Sequence, residues 1–207
     1  AVRPLVDLRA LDTTTCATGM VARDLAAGDA RVAEIARVVC DYDLWKNEDP
    51  RSMVLGRILW KPGLRDYVRD RLAEGVFTDA LIREEYDRIL AEMERDITKS
   101  IRSTRILGKK YRIAFCPLYG YPSDTGSRVR ETFQSEIEVM VSSNGRFSIR
   151  SVPPVSHLIA RRFGGGGHPH ASGGMFPFTL LDRVAFILFR KSRHFEVLVA
   201  VAESIAG

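Results

Sequence analysis

Residues 164–174 read GGGGHPHASGG, and this stretch restricts the fold more than any other in the chain. Four consecutive glycines, Gly164 to Gly167, lose more backbone entropy on folding than any other residues would. A fold keeps them where the chain needs positive φ or where another group must come close to the main chain. The preceding VSHLIARRF has the spacing of an amphipathic helix, and a helix end needs one glycine rather than four. His168 and His170 follow, with Pro169 between them to stiffen the turn. The pattern predicts a glycine loop whose bare N–H groups cradle an anion, with a histidine donating to a phosphate oxygen. The plainer alternative is a tight helix-to-strand connection flanked by a surface histidine.

Texture changes along the chain. Up to about residue 103 it reads helical. TTTCATGMVARDLAAG predicts a helix with threonine caps ending at Gly28, and DARVAEIARVVC a helix opening at an Asp29 cap. KPG at 61–63 marks a break. Over 78–103, Ile82, Tyr86, Ile89, Met93 and Ile97 share one face of a long amphipathic helix. From Tyr111, period-two alternation in YRIAFCPL, EIEVMVSS and RFSIRS predicts strands, with Asn144-Gly145 as a type I′ turn between the last two. SDTGSRVRETF predicts a helix capped by Ser123 or Asp124. The expected order is strand, helix, strand, strand, helix, glycine loop, strand, helix, closing with MFPFTLLDRVAFILFRK and HFEVLVAVAESIAG. AFILF at 185–189 has the length of a strand. These elements predict an α/β domain with a mixed sheet.

The chain of 207 residues, 45% hydrophobic, suffices for one large or two small cores. No apolar run reaches the length needed to span a membrane. A net charge of +5 suits a polyanionic partner without requiring one. Cys16, Cys40 and Cys116 lie far apart, odd in number and outside any CxxC or zinc spacing. That predicts buried free thiols in a reducing cytoplasm. DYDLWKNEDPRS at 41–52 gathers Asp41, Asp43, Glu48, Asp49 and Arg51. Two aspartates one residue apart after a helix can face a hard divalent cation, or form a solvated acidic turn.

Arg150, Ser151, Phe163, Gly165 to Gly167, His168, then Ala171, Ser172 and Gly173, stand in an order that resembles the DHH-associated domain. That domain is the C-terminal half of the DHH phosphoesterase superfamily. DTTTCATGMVARDL followed by DYDLWKNEDPRS resembles its oligoribonuclease-like and exopolyphosphatase-like branch. The resemblance implies a helical tail of the catalytic domain over 1–62, a helical linker over 63–105 and a substrate-binding domain over 106–207. It implies that Asp41, or alternatively Asp43, ligates a two-metal cluster of manganese or magnesium, with Trp45 and Arg51 fixing the loop by packing and by pairing with Glu48 or Asp49. It implies that Arg150, Ser151, Gly165, Gly166, Gly167 and His168 bind substrate phosphate, His168 also serving catalysis. Pro153 and Pro154 fall where a helix would begin.

The sequence contains no DHH tripeptide, and its histidines (His157, His168, His170 and His194) are all C-terminal. The expectation is therefore a fragment, inactive alone and holding no metal tightly. Its parent would be a cytoplasmic metal-dependent phosphoesterase. The substrate would be short single-stranded RNA or DNA, or another phosphate-containing small molecule, with no membrane partner; a homodimer is compatible. The alternative reading is a stand-alone nucleic-acid-binding module without catalysis. An alanyl-tRNA-synthetase-type editing domain is disfavoured by the DYDLWKNEDPRS segment.

Overall fold

The computed structural model describes Asp12 and residues 14–205. They divide into two compact units, one ending at Ala91 and the other beginning at Glu92.

The first unit is helical: α1 (Ala17–Leu25), α2 (Ala30–Asp43), α3 (Pro50–Ile58), a 3₁₀ turn (Pro62–Leu64), α4 (Arg65–Ala73) and the start of α5 (Ala80–Arg102). α2 opens as the sequence predicts, with the Asp29 carboxylate accepting from Arg31 N at 2.9 Å and Val32 N at 3.0 Å. Among the described residues no threonine caps α1, and Thr13 lies outside them. Cys16 holds the N-cap position without a capping hydrogen bond, while Thr14 turns back to Asp12. Cys16 and Cys40 are joined in a disulfide with Cα atoms 5.2 Å apart, which corrects the expectation of free thiols. Packing of α1 on α2 brings together two residues that sequence separation keeps apart. Cys116 is a buried free thiol, its pKa pushed up to about 12 by burial and then by the nearby Glu138 charge.

The second unit is α/β: β1 (Arg105–Leu107), β2 (Ile113–Pro117), α6 (Pro122–Phe133), β3 (Ile137–Val141), β4 (Arg146–Ser151), α7 (Ser156–Arg161), β5 (Gly166–His168), β6 (Ala171–Met175), α8 (Leu180–Phe189) and α9 (His194–Ile205). The sheet order is β1-β2-β3-β4-β6-β5. β2 and β3 are parallel, as the crossover through α6 requires, and the other pairs are antiparallel. One face carries the main core, where Ile113, Phe115, Val139, Phe147 and Ile149 meet residues of α7, α8 and α9. On the other face α6 covers Ala114, Cys116 and Met140. β2 and β3 are therefore buried on both sides rather than half-solvated.

Several local expectations are corrected. AFILF is helical. Thr179 Oγ1 accepts from Asp182 N at 3.2 Å while the Asp182 carboxylate accepts from Thr179 N at 2.9 Å, so a reciprocal cap starts α8 and carries the apolar run into a helix. α6 opens at Tyr121 in the left-handed region with Pro122 next, and neither Ser123 nor Asp124 caps it. In the β3–β4 turn, Gly145 N donates to Ser142 O at 2.9 Å. There Gly145 is left-handed and Asn144 is not, so the turn is not type I′. Pro153 and Pro154 precede α7 rather than forming its first turn. Among the described residues no helix is long and apolar enough to cross a membrane.

Candidate functional site

Strand register builds the site. Residues paired across a sheet share a face, so Arg150, Ala171 and His168 form one row across β4, β6 and β5. The next row on that face is Ser148, Gly173 and Gly166. Strands lie about 4.8 Å apart, which puts the Cα atoms of Arg150 and His168 roughly 10 Å apart. Alanine and glycine lie between them, so the floor is low and the two long side chains form its walls. The core takes the opposite face, through Phe147, Ile149 and the buried Ser151.

Arg150 is half-buried against the first turns of α6. Its Nη2 donates to Ser123 Oγ at 3.0 Å, and its Nη1 donates to Ser148 Oγ and to the Ile149 carbonyl, each at 3.0 Å. Gly126 makes room, since a Cβ there would stand 3.1 Å from Arg150 Cγ. All three acceptors are neutral. The neighbouring acid, Glu138, is its register partner on β3 and is 0% exposed. Arg130 already binds that carboxylate through Nε, at 3.2 Å, and through Nη2, and Ser135 Oγ donates to it at 2.7 Å. Burial raises Glu138 above the usual carboxylate range against the pull of Arg130. Burial, then the Arg130 charge, draws Arg150 below its usual value, and Glu138 opposes them. Among the described residues Arg150 is thus a half-buried cation without a carboxylate of its own. It lies beside the N-terminus of α6, whose first turn also carries Asp124.

The second half of the glycine run is not a loop. Gly166–His168 is the edge strand β5, which corrects the loop conformation expected there. Close sheet packing explains two of the four glycines, and Gly164 is left-handed at φ +67. A Cβ at Gly165 would overlap the Gly173 carbonyl oxygen, and one at Gly167 would stand 2.7 Å from Ala171 O and Ser172 Cα. Gly167 is also left-handed, at φ +141. Gly166 differs, because its Cβ would meet nothing within 4 Å and its φ is ordinary. The fold does not require glycine there, yet the position opens onto the face of Arg150 and His168. His168 itself is exposed.

Ser151 and His170 hold the hairpin tip. Ser151 Oγ is buried, bonding Pro153 O at 2.6 Å and Ser156 Oγ at 2.7 Å. His170 Nδ1 lies 3.1 Å from the Ser151 carbonyl, which can only accept, so this nitrogen carries the proton. The sequence did not mark Ser123, Gly126, Ser148 or the Arg130–Glu138 pair as neighbours of Arg150, Ser123 being expected only as a helix cap. Parity within RFSIRS alone puts Ser148 and Arg146 on the face of Arg150.

In the first unit Asp41 is buried near the end of α2. Its Oδ1 accepts from Glu48 N at 3.1 Å and its Oδ2 from Asp49 N at 3.2 Å. The Ser52 hydroxyl beside it, without completed hydrogen-bond geometry, and these amides hold its carboxyl below the usual range against burial. Both oxygens thus latch the loop. Asp43 is exposed. Arg51 binds Asp49 and Glu34, each at 2.7 Å, rather than Glu48, and Arg37 reaches Asp49 at 2.7 Å. Trp45 is largely exposed and stacks on Tyr42 rather than packing into a core. Among the described residues no group of three or more His, Cys, Asp or Glu side chains is placed to hold a metal. The donor set does not by itself fit a two-metal centre.

The sequence matches no protein-family model and no curated protein. Among solved structures it is similar to an exopolyphosphatase-related protein from Bacteroides fragilis, at 16% identity over 85% of this chain and 51% of that one, TM-score 0.47. It is also similar to a pGpG-specific phosphodiesterase from Vibrio cholerae, at 10% identity over 87% and 64%, TM-score 0.47. A third similarity is to the DHH domain of a member of a ribosomal-protein family, at 15% identity over 90% and 44%, TM-score 0.37. The chain spans between 44% and 64% of the length of these proteins. At such identities and TM-scores the similarity assigns no activity.

Proposed function

We propose that the second unit is the substrate-binding portion of a metal-dependent phosphoesterase of the DHH type, acting on short oligonucleotides or related phosphate esters and anhydrides. The carrying observation is Arg150, a half-buried guanidinium that meets only neutral acceptors beside the N-terminus of α6. A phosphate on the sheet face supplies the missing negative charge, and the planar guanidinium suits two of its oxygens. His168 donates to the same group from the other wall. Gly166 lets the phosphate approach the main chain. Ser151 acts indirectly by fixing the turn that carries His168. This chain's own residues bind and orient the phosphate, and the chemical step belongs to the intact enzyme.

The test is binding of a nucleoside 5′-monophosphate, read from the amide resonances of Gly165 to Gly167. Binding that needs the phosphate and is lost in Arg150→Ala supports the reading. Unchanged affinity in Arg150→Ala overturns it. Binding of long single strands with no dependence on a terminal phosphate would favour a nucleic-acid-binding module instead.

A further inference from the structure

We propose a second subsite on the same sheet face, centred on Arg146 and Met175, that takes the second phosphate and base of an oligonucleotide. The proposal rests on the phosphate site above and narrows its substrate class. On β4, Arg146, Ser148 and Arg150 alternate with Phe147 and Ile149, which enter the core. A rise of about 3.3 Å per residue sets Arg146 and Arg150 roughly 13 Å apart at Cα, the reach of a short linear ligand rather than of one phosphate. At the Arg146 end lies a cleft of about 490 Å³ whose walls include Ser142, Asn144, Arg146, Ser148, Gly173 and Leu118.

Arg146 is exposed and its guanidinium has no hydrogen bond or ion pair among the described residues. Its main-chain N–H donates to Asn144 Oδ1 at 3.0 Å, which fixes the turn that presents it. Met175 is its register partner on β6, shares its face and is 52% exposed. A free cation beside a polarizable apolar side chain matches a phosphate joined to a base. An inorganic polyphosphate chain offers the charge but no flat face for Met175. The pairing therefore favours a ligand of at least two nucleotides.

Equilibrium binding of the 207-residue chain to AMP, the dinucleotide pApA and inorganic tripolyphosphate tests this. Arg146→Ala should weaken pApA about tenfold or more while changing AMP less than about twofold. Met175→Ser should weaken pApA about threefold and leave tripolyphosphate unchanged. Arg183→Ala, at an exposed arginine of α8, controls for net charge and should move none of the three. Equal losses for AMP and pApA in Arg146→Ala, no loss for pApA, or an equal loss in Arg183→Ala would each overturn the subsite. If pApA and tripolyphosphate both respond to Arg146→Ala and neither to Met175→Ser, the nucleotide assignment falls. Wild-type protein that fails to bind AMP would instead defeat the underlying phosphate site. AMP binding that depends on Arg150, with pApA indifferent to Arg146, defeats the second subsite alone.

Discussion

Around Asp49 in the first unit, Arg37 and Arg51 converge on one carboxylate and share a second acid, Glu34. On the sheet face of the second unit, Arg150 meets two hydroxyls and a carbonyl, and the Arg146 guanidinium meets no partner among the described residues. Both regions are rich in arginine, but only the first closes its charges internally. The Arg51 guanidinium even rests over the Phe77 ring, 4.6 Å from its centroid. A closed network serves the fold, because its members already have their counter-charges. An open one, half-buried and framed by small residues, leaves its charge uncompensated within the described residues, which is what the proposed phosphate would supply. By this measure Asp49 and Arg51, within the acidic segment 41–52, serve the fold.

The contrast can be broken most strongly at the disulfide. Cys16 and Cys40 are 24 residues apart, and a cross-link closing a loop of that length is worth about 3 kcal/mol. Reduction should lower the thermal midpoint of the first unit, read from its tryptophans Trp45 and Trp60, while AMP binding on the second unit is unchanged. A loss of AMP binding on reduction would show that the regions are not independent. Next is Arg150→Ala, which should cost about 1.5–3 kcal/mol of phosphate binding by calorimetry. A large fall in melting temperature with binding kept would make Arg150 a structural residue like Arg51. Gly166→Ala sharpens the contrast within the glycine run. It should leave the unfolding free energy within about 0.5 kcal/mol of wild type yet weaken AMP several-fold, whereas Gly167→Ala should destabilise. If Gly166→Ala binds normally, the open floor is not used.

Acid titration gives the smallest expected effect. Glu34 is lowered from 4.5 to about 2 by Arg37 and then Arg51, and Asp49 is depressed further, chiefly by Arg51. Depressed acids stabilise above their unfolded values, so this contribution is present above about pH 4.5 and is lost as pH falls towards 2. Glu138 has the opposite sign: its raised value makes its contribution greatest below 4.5, and that contribution is lost as pH rises through the folded value. Tryptophan fluorescence should therefore report acid loosening of the first unit before circular dichroism reports loss of strand signal. Simultaneous loss would contradict the comparison.

Sequence patterning carried the parts of the fold where side chains declare the period. Asp29 announces α2, and alternation announces β2, β3 and β4. β5 was hidden because glycine has no side chain with which to show a two-residue period. AFILF was ambiguous because a short apolar run suits a buried strand or a helix equally, and the deciding cap, Thr179 with Asp182, lies outside it. The disulfide depends on the packing of α1 on α2, which no spacing rule encodes. At the site, residue types pointed to Arg150 and His168. Register was needed to align them across Ala171, and burial to show that Ser151 faces inward.

The Pro169–His170 turn is tied down at several points: Ser151 N donates to His170 O at 3.1 Å, Ser156 N to Pro169 O at 2.9 Å, and His170 Nδ1 to Ser151 O. The ordering entropy of that hairpin tip is spent when the chain folds, before any ligand arrives. A phosphate should therefore enter without waiting for a segment to close over it. Association should then change little among site variants, and differences in affinity should appear in how long the ligand stays. The same tethering should shield the Ser151 and Ser156 amide hydrogens from exchange with solvent whether or not the site is filled.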